Sequence, residues 1–347
     1  MKQSAIPLRT LAGLVIACLI LSHQTHAAGT NKIGTSAATF LRIPVGARAI
    51  GMGSSFVSMM NDPSGLYWNP SLISSVKSNA FLADHSPWLP GITFDYLGVI
   101  VPFEDFGTVG LSATILQTDE MEVTTPAQQM GTGETFRASS LALGFSYSRS
   151  LTDRFAIGGT FKYIRETIYN SNATAVGFDI GTVYLTPFLG IRLGASIANF
   201  GTKLRMDGDD LNIRADVAPD QEGNNQSVVA RLNTDQFDLP LVMRVGISGE
   251  AIANEDVRLT LSADAVNPND NAASMNAGAE CAFLNETLRL RVGYRDVFLD
   301  QSEFGLSWGV SVNNIRLVGD VLITAEYGYQ KYVHLGNSNR FTLGIRF

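Results

Sequence analysis

The segment 286–297, ETLRLRVGYRDV, limits what this chain can fold into more than any other stretch. In an extended strand Leu288, Leu290, Val292 and Tyr294 fall on one face, and Arg289, Arg291, Gly293 and Arg295 on the other. Arginines on one face cannot point into a dry soluble core without partners. They can line a polar, water-containing lumen while the Leu/Val/Tyr face meets lipid. The same alternation sets Ile191, Leu193, Ala195 and Ile197 against Arg192, Gly194, Ser196 and Ala198. It also sets Val257, Leu259, Leu261, Ala263 and Ala265 against Arg258, Thr260, Ser262 and Asp264.

Period-two patterning predicts strands over 79–86, 91–103, 107–118, 134–149, 154–168, 173–186, 189–200, 240–252, 255–267, 272–284, 286–297, 302–314, 318–330 and 336–347. Many have the length of about 10 residues that tilted membrane-spanning strands need. The fold class is therefore all-β: a transmembrane antiparallel β-barrel of about fourteen strands. Connection lengths provide an independent check. With the start of the barrel in the periplasm, even-numbered strands should be followed by short turns. These are 104–106, 150–153, 187–188, 253–254 and Asn285. The two long connections, 119–133 and 201–239, both follow odd-numbered strands and fall outside the cell.

Charged residues are 16% of the chain, against about 25% in an ordinary globular domain. No apolar run in the mature region reaches the roughly 18 residues of a transmembrane helix. A net charge of -7, spread along the chain, argues against nucleic acid as a partner.

Three segments are expected. Residues 1–28 read as a secretory signal peptide, with Lys2 and Arg9 before an apolar Leu11–Leu21 core and cleavage after Ala27 or Ala28. Cys18 leaves with it, so Cys281 stands alone as a small wall residue. Export places the protein in the bacterial outer membrane. Residues 29–78 form a hatch or plug in the lumen: VGARAIGMGSSFVSMMNDPSGLYWNPSLISS, at 45–75, is short and Gly-rich and is broken by Pro63 and Pro70. An N-terminal cap on a soluble β domain is the alternative for that stretch taken alone. Residues 79–347 form the barrel.

No catalytic group stands out. His85 and His334 lie near expected extracellular strand ends, without metal spacing or a nucleophile motif. Ser86 beside His85 points to the opposite face. Asp207, Asp209 and Asp210 resemble part of a calcium loop but lack its closing Glu, so the acidic 201–239 loop reads as a solvated surface and a place for a protein partner. No cofactor or metal is expected. The last strand, RFTLGIRF, ends on Phe347 and resembles the C-terminal signal read by outer-membrane assembly machinery.

The ordered set Gly46–Ala49, Gly51–Gly53, Asn61-Asp62 and Trp68-Asn69-Pro70-Ser71 resembles the N-terminal signature of the PorV/PorQ family, an outer-membrane branch related to the FadL long-chain fatty acid transporters. Three later stretches, 238–248, 276–296 and 325–347, are also similar to that family. Ser71 departs from its usual Ala, and Cys281-Ala282-Phe283 from its aromatic-rich strand end. The resemblance implies a fourteen-stranded barrel around a hatch motif comprising Gly51, Gly53, Trp68, Asn69 and Pro70. In PorV-type proteins such a barrel binds cargo or a translocon in type IX secretion. In FadL-type proteins the hatch moves to admit a hydrophobic ligand, which leaves through a gap in the wall. A structural or adhesive barrel is a third reading. Implied partners are outer-membrane lipid, secretion-system proteins or cargo, and a hydrophobic small molecule or detergent in the lumen. Arg289, Arg291 and Arg295 are the candidate lumen-lining residues, paired with Asp264 or Glu280. Asn69 is expected to satisfy backbone groups where Pro70 interrupts regular bonding.

Overall fold

The computed structural model describes residues 33–347, apart from 221, 224, 226, 255, 300, 301, 317 and 318. The signal-peptide reading of 1–28 lies outside the described residues. Fourteen long strands form one closed antiparallel barrel. They are β1 Ala80–Leu89, β2 Ile92–Phe103, β3 Gly107–Thr118, β4 Ala138–Thr152, β5 Phe155–Ile168, β6 Ser171–Leu185 and β7 Arg192–Gly201. Then follow β8 Val242–Ala253, β9 Val257–Pro268, β10 Ser274–Phe283, β11 Leu288–Val297, β12 Phe304–Arg316, β13 Leu322–Tyr332 and β14 Asn337–Arg346. Each strand pairs with its sequence neighbours, and β1 closes on β14 from Ala80↔Arg346 to His85↔Phe341. Closure leaves no strand edge unpaired, which a sheet in lipid requires.

The faces follow the alternation. On β11, Leu290, Val292 and Tyr294 are 47%, 50% and 49% exposed, while Arg291 is 4% exposed. In a bilayer that outer surface meets hydrocarbon. Aromatic side chains gather near one rim, where Phe103, Phe106 and Tyr147 touch and the Tyr147 hydroxyl donates to the Phe106 carbonyl at 2.6 Å. Val292→Arg is expected to destabilise the barrel by about 2–4 kcal/mol, the cost of a cation near the bilayer midplane. Denaturant-dependent folding into vesicles measures it, and an unchanged midpoint would rule out a lipid-facing Val292.

The two rims differ as expected, with some turns redrawn. The β6–β7 connection is 186–191 rather than the two residues 187–188. The β10–β11 turn runs over 284–287 rather than Asn285 alone, with Leu284, Asn285 and Glu286 all at positive φ. Hydrogen bonding from Arg258 holds the Glu286 carboxyl in that turn below its ordinary pKa. The long connections carry small hairpins, Met121–Glu122 with Thr135–Phe136 and Asn212–Ala215 with Val228–Arg231. By the rule that periplasmic turns are short, their rim is the outer one.

Residues 33–78 thread the lumen. Ser36 bridges to Asp238 and bonds Asp270, both in outer-rim loops. At the inner rim the Asn61 carbonyl accepts from Arg346 at 3.1 Å, near where β1 begins. The described hatch therefore starts at the outer rim, opposite the start of the barrel. It contains two short helices, α1 Ala47–Gly51 and α2 Gly65–Trp68, and 3-10 turns at Thr39–Arg42 and Pro70–Ser75. Phe56, Met52, Leu66 and Leu72 are almost fully buried, so the apolar core of this molecule lies inside the barrel around the hatch. Among the described residues no helix is long and apolar enough to cross a membrane.

Candidate functional site

The site is the contact between hatch and lumen wall, built from two kinds of inward-facing residue. The first is glycine. A Cβ at Gly158 would stand 2.6 Å from the Pro70 carbonyl carbon. One at Gly293 would fall on the Gly53 nitrogen, and one at Gly278 on the Met52 carbonyl oxygen. Only a bare wall lets the hatch backbone come so close. Gly53 itself has φ +64, and its own Cβ would lie 2.6 Å from the Tyr294 nitrogen. Gly51 packs on Gly309 and Arg291 in the same way, with 3.1 Å to each.

The second kind is a short polar side chain that serves the hatch backbone. Ser196, Ser248, Ser262 and Asn276 donate to the carbonyls of Trp68, Ser58, Ser55 and Ser54 at 3.0–3.2 Å. Asp264 accepts from the amides of Phe56 and Val57 at 2.6 and 2.9 Å. Among the described residues Asp264 makes no ion pair with Arg289, Arg291 or Arg295. Its carboxylate fastens hatch amides that an irregular segment leaves without helix or sheet partners.

Asn69 closes the motif. Its Nδ2 donates to the Val57 carbonyl at 2.8 Å and to the wall carbonyl of Thr182 at 3.0 Å, and its Oδ1 accepts from Ser71. Both donors and the acceptor are used, so the amide is fully engaged in structure. Pro70 opens the following 3-10 turn, at the position where a missing N–H costs nothing. The Trp68 indole donates to the Val45 carbonyl at 2.9 Å.

Charge joins hatch to wall through Arg42, which pairs with Asp270 in an outer-rim loop, and more extensively through Arg48. Arg48 of α1 grips Glu280 of β10 with two bonds of 2.8 Å and reaches Asp62 at 3.0 Å. Glu280 also takes Arg291 at 2.7 Å and Arg258 at 3.2 Å. Arg291 extends to Glu326 at 3.4 Å, and Arg289 pairs with Glu286 at 3.0 Å. Arg48, Arg258, Arg289 and Arg291 thus face Asp62, Glu280, Glu286 and Glu326, a balanced network that a low-dielectric site requires. Arg295 stands apart from it: its guanidinium lies 3.7 Å over Phe304 and 3.6 Å from Asp296.

The remaining sequence candidates lie elsewhere. His85 contacts Asp95 at 2.6 Å on the outside of the wall, with Ser86 buried on the other face. His334 contacts Glu303 at 2.6 Å in the outer loops and holds that carboxyl below its ordinary pKa. Asp210 accepts from Asn170 and Ser171, and Asp207 pairs with Arg231. Cys281 is a free thiol on the wall. Arg48 and Arg244 were not visible as site residues, because neither stands in an arginine-rich alternating strand. The wall glycines did leave a signal: they recur on the polar face of strands such as β7 and β11.

No family model matches the chain, and no curated protein matches it in sequence. Solved structures do resemble it. A Pseudomonas aeruginosa FadL homologue aligns with TM-score 0.52 and 13% identity, over 88% of this chain and 98% of its own. The Pseudomonas putida toluene transporter TodX aligns with TM-score 0.52 and 13% identity, over 86% and 96%. The monoaromatic hydrocarbon channel CymD aligns with TM-score 0.53 and 12% identity, over 87% and 96%. TodX is a toluene transporter and CymD a hydrocarbon channel, and at such identities the likeness speaks for the fold alone. The chain has the closed fourteen-stranded fold of FadL-like outer-membrane β-barrels.

Proposed function

We propose that this protein is an outer-membrane channel for hydrophobic small molecules, with the hatch as its gate. The observation that carries this is the seating of the hatch in the lumen of a barrel whose fold is that of hydrocarbon channels. The seat is made of wall glycines and of polar side chains bonded to hatch backbone, so the hatch is held in the lumen by non-covalent contacts. An apolar compound crosses the outer leaflet poorly because of its polar headgroup layer, and a protein path past that layer is what such a barrel supplies. Expression in a bacterium lacking its own uptake barrel is expected to raise toluene or dodecanol uptake several-fold. Uptake equal to that of the empty host would sink the channel reading.

A secretion-system role of the PorV/PorQ kind is the second reading. It draws on the hatch signature and on the exposed two-stranded hairpin Asn212–Ala215/Val228–Arg231 in the acidic outer loop, a surface suited to a protein partner. Co-purification of a large partner barrel, or of surface proteins sharing a C-terminal domain, would favour it over transport.

A further inference from the structure

The long outer loop 201–239 and the hatch are joined by one hydrogen-bonded ribbon. It begins at the exposed hairpin Asn212–Ala215/Val228–Arg231, where Val229 is 66% exposed. At its base the Leu232 amide donates to the Leu211 carbonyl at 2.9 Å. Arg205 then bonds the Asn233 side chain, and the Thr234 hydroxyl donates to the Met206 carbonyl. Leu204 and Phe237 exchange both backbone bonds, at 2.8 and 2.9 Å. The next residue, Asp238, bridges Ser36 in parallel, and its carbonyl accepts from the Ala37 amide at 3.0 Å. The ribbon therefore ends on the hatch.

The foot of the ribbon is buried. Leu204 and Leu239 are 2% and 3% exposed and share the apolar core with Phe40 and Leu41 of the hatch. Leu239 lies against the bare faces of Gly177 and Gly201, where a Cβ would come within 3.4 and 2.9 Å of its Cδ1. Wall glycines thus seat the loop end as they seat the hatch. The turn between β9 and β10 clasps both segments. Asn269 donates to the Leu239 and Leu241 carbonyls at 3.1 and 2.9 Å. Asp270, buried beside it, takes the Ser36 hydroxyl and the Arg42 guanidinium.

The latched backbone is strained. Ala38, two residues after the bridge, has φ 49 and ψ 41, a left-handed conformation that its Cβ disfavours. Such a conformation persists only where surrounding contacts over-determine it, and it favours release once they are lost.

We propose that the outer loop and the outer end of the hatch move as one unit, with Ser36, Arg42, Asp238 and Asp270 as the latch. Displacing the surface hairpin draws Asp238 off Ser36 and frees the hatch start. Freeing the hatch start loosens the hairpin by the same free energy, as coupling between two sites requires. The loop is then the handle through which an event outside the barrel reaches the hatch. The coupling needs no transported compound; that it controls passage rests on the channel reading.

The test is hydrogen exchange of the whole protein in zwitterionic-lipid nanodiscs. Ile213→Pro breaks the hairpin ladder opposite Ala230 and alters no group of the latch. It is expected to speed exchange of the 37–43 amides about tenfold, a usual scale of coupling between sites. Arg42→Ala, on the hatch side, should speed the hairpin amides 228–232 by a similar factor, and it decides the matter alone if Ile213→Pro does not fold. Ala38→Gly removes the left-handed strain and should slow the 37–43 amides about fivefold. Exchange in the barrel strands should stay unchanged in all three variants, which separates coupling from general loosening. Acceleration confined to the hairpin in Ile213→Pro, or to the hatch in Arg42→Ala, overturns the proposal, even if dodecanol uptake upholds the channel. Acceleration at the far end in each variant, without uptake of any hydrophobe, upholds the latch and removes the channel reading.

Discussion

Gly293→Leu is expected to unseat the hatch while the barrel stays folded. Position 293 faces the lumen in the middle of β11, and a Cβ there would fall on the Gly53 nitrogen and the Met52 carbonyl carbon. The obstacle is backbone on both sides: Gly293 is paired with Gly278 and Ser307, and Gly53 lies in a segment pinned by Asp264 and Asn276. Overpacking of a well-packed core whose side chains and backbone can shift costs about 1–3 kcal/mol. Here little can relax except the hatch, so its detachment is the cheaper outcome. The ladder bonds and lipid face of β11 are untouched. Planar-bilayer recordings should show a conductance absent from the parent protein. Limited proteolysis should cut between residues 45 and 65, while the barrel keeps its heat-modifiable migration. A variant that remains closed and protease-resistant would show that the wall, not the hatch, gives way.

Arg48→Ala is expected to loosen the same contact through charge. Removing one partner of a buried pair costs about 3–5 kcal/mol, because the other charge stays buried. Glu280 retains Arg291 and Arg258, but Asp62 loses its ion pair and keeps only Ser64. The balanced network gains an excess negative charge inside the lumen. Hydrogen exchange of the 45–65 amides should therefore accelerate strongly while exchange in the strands stays slow. Glu280→Gln should act in the same direction, since it leaves Arg48 and Arg291 without their shared carboxylate. Equal exchange in both variants and the parent would place the holding force in the serine and glycine contacts instead.

The barrel was legible in the sequence because a strand in lipid must alternate. Leu290, Val292 and Tyr294 can only go outward when Arg291 must find water or a partner, and that choice recurs along fourteen strands. Even and odd connections then sort themselves onto two rims. Turn details were less legible, since a turn such as Leu284–Thr287 uses left-handed non-glycine residues that composition does not announce. The hatch motif was visible as a break in the pattern, and Asn69 beside Pro70 has a local reason to be there.

What surrounds each lumen residue was decided only by the tertiary structure. Alternation assigns Arg291, Asp264 and Gly293 to the lumen alike and offers Asp264 and Glu280 equally as arginine partners, but it does not say that Glu280 takes Arg291 while Asp264 holds hatch amides and Gly293 makes room for Gly53. The roles of Asp264 and Gly293 follow from how a chain segment some 200 residues distant threads the barrel, whereas Arg291 meets Glu280 directly across the β10–β11 ladder. Arg48 could be read as a helix residue and Arg244 as one inward charge among several. That the first pairs with Glu280 and Asp62 and the second stacks over Trp68 follows from closure of the barrel around the hatch. Strand periodicity is local and is written residue by residue; partnership across a lumen is not, and the chemistry of this protein lies in those partnerships.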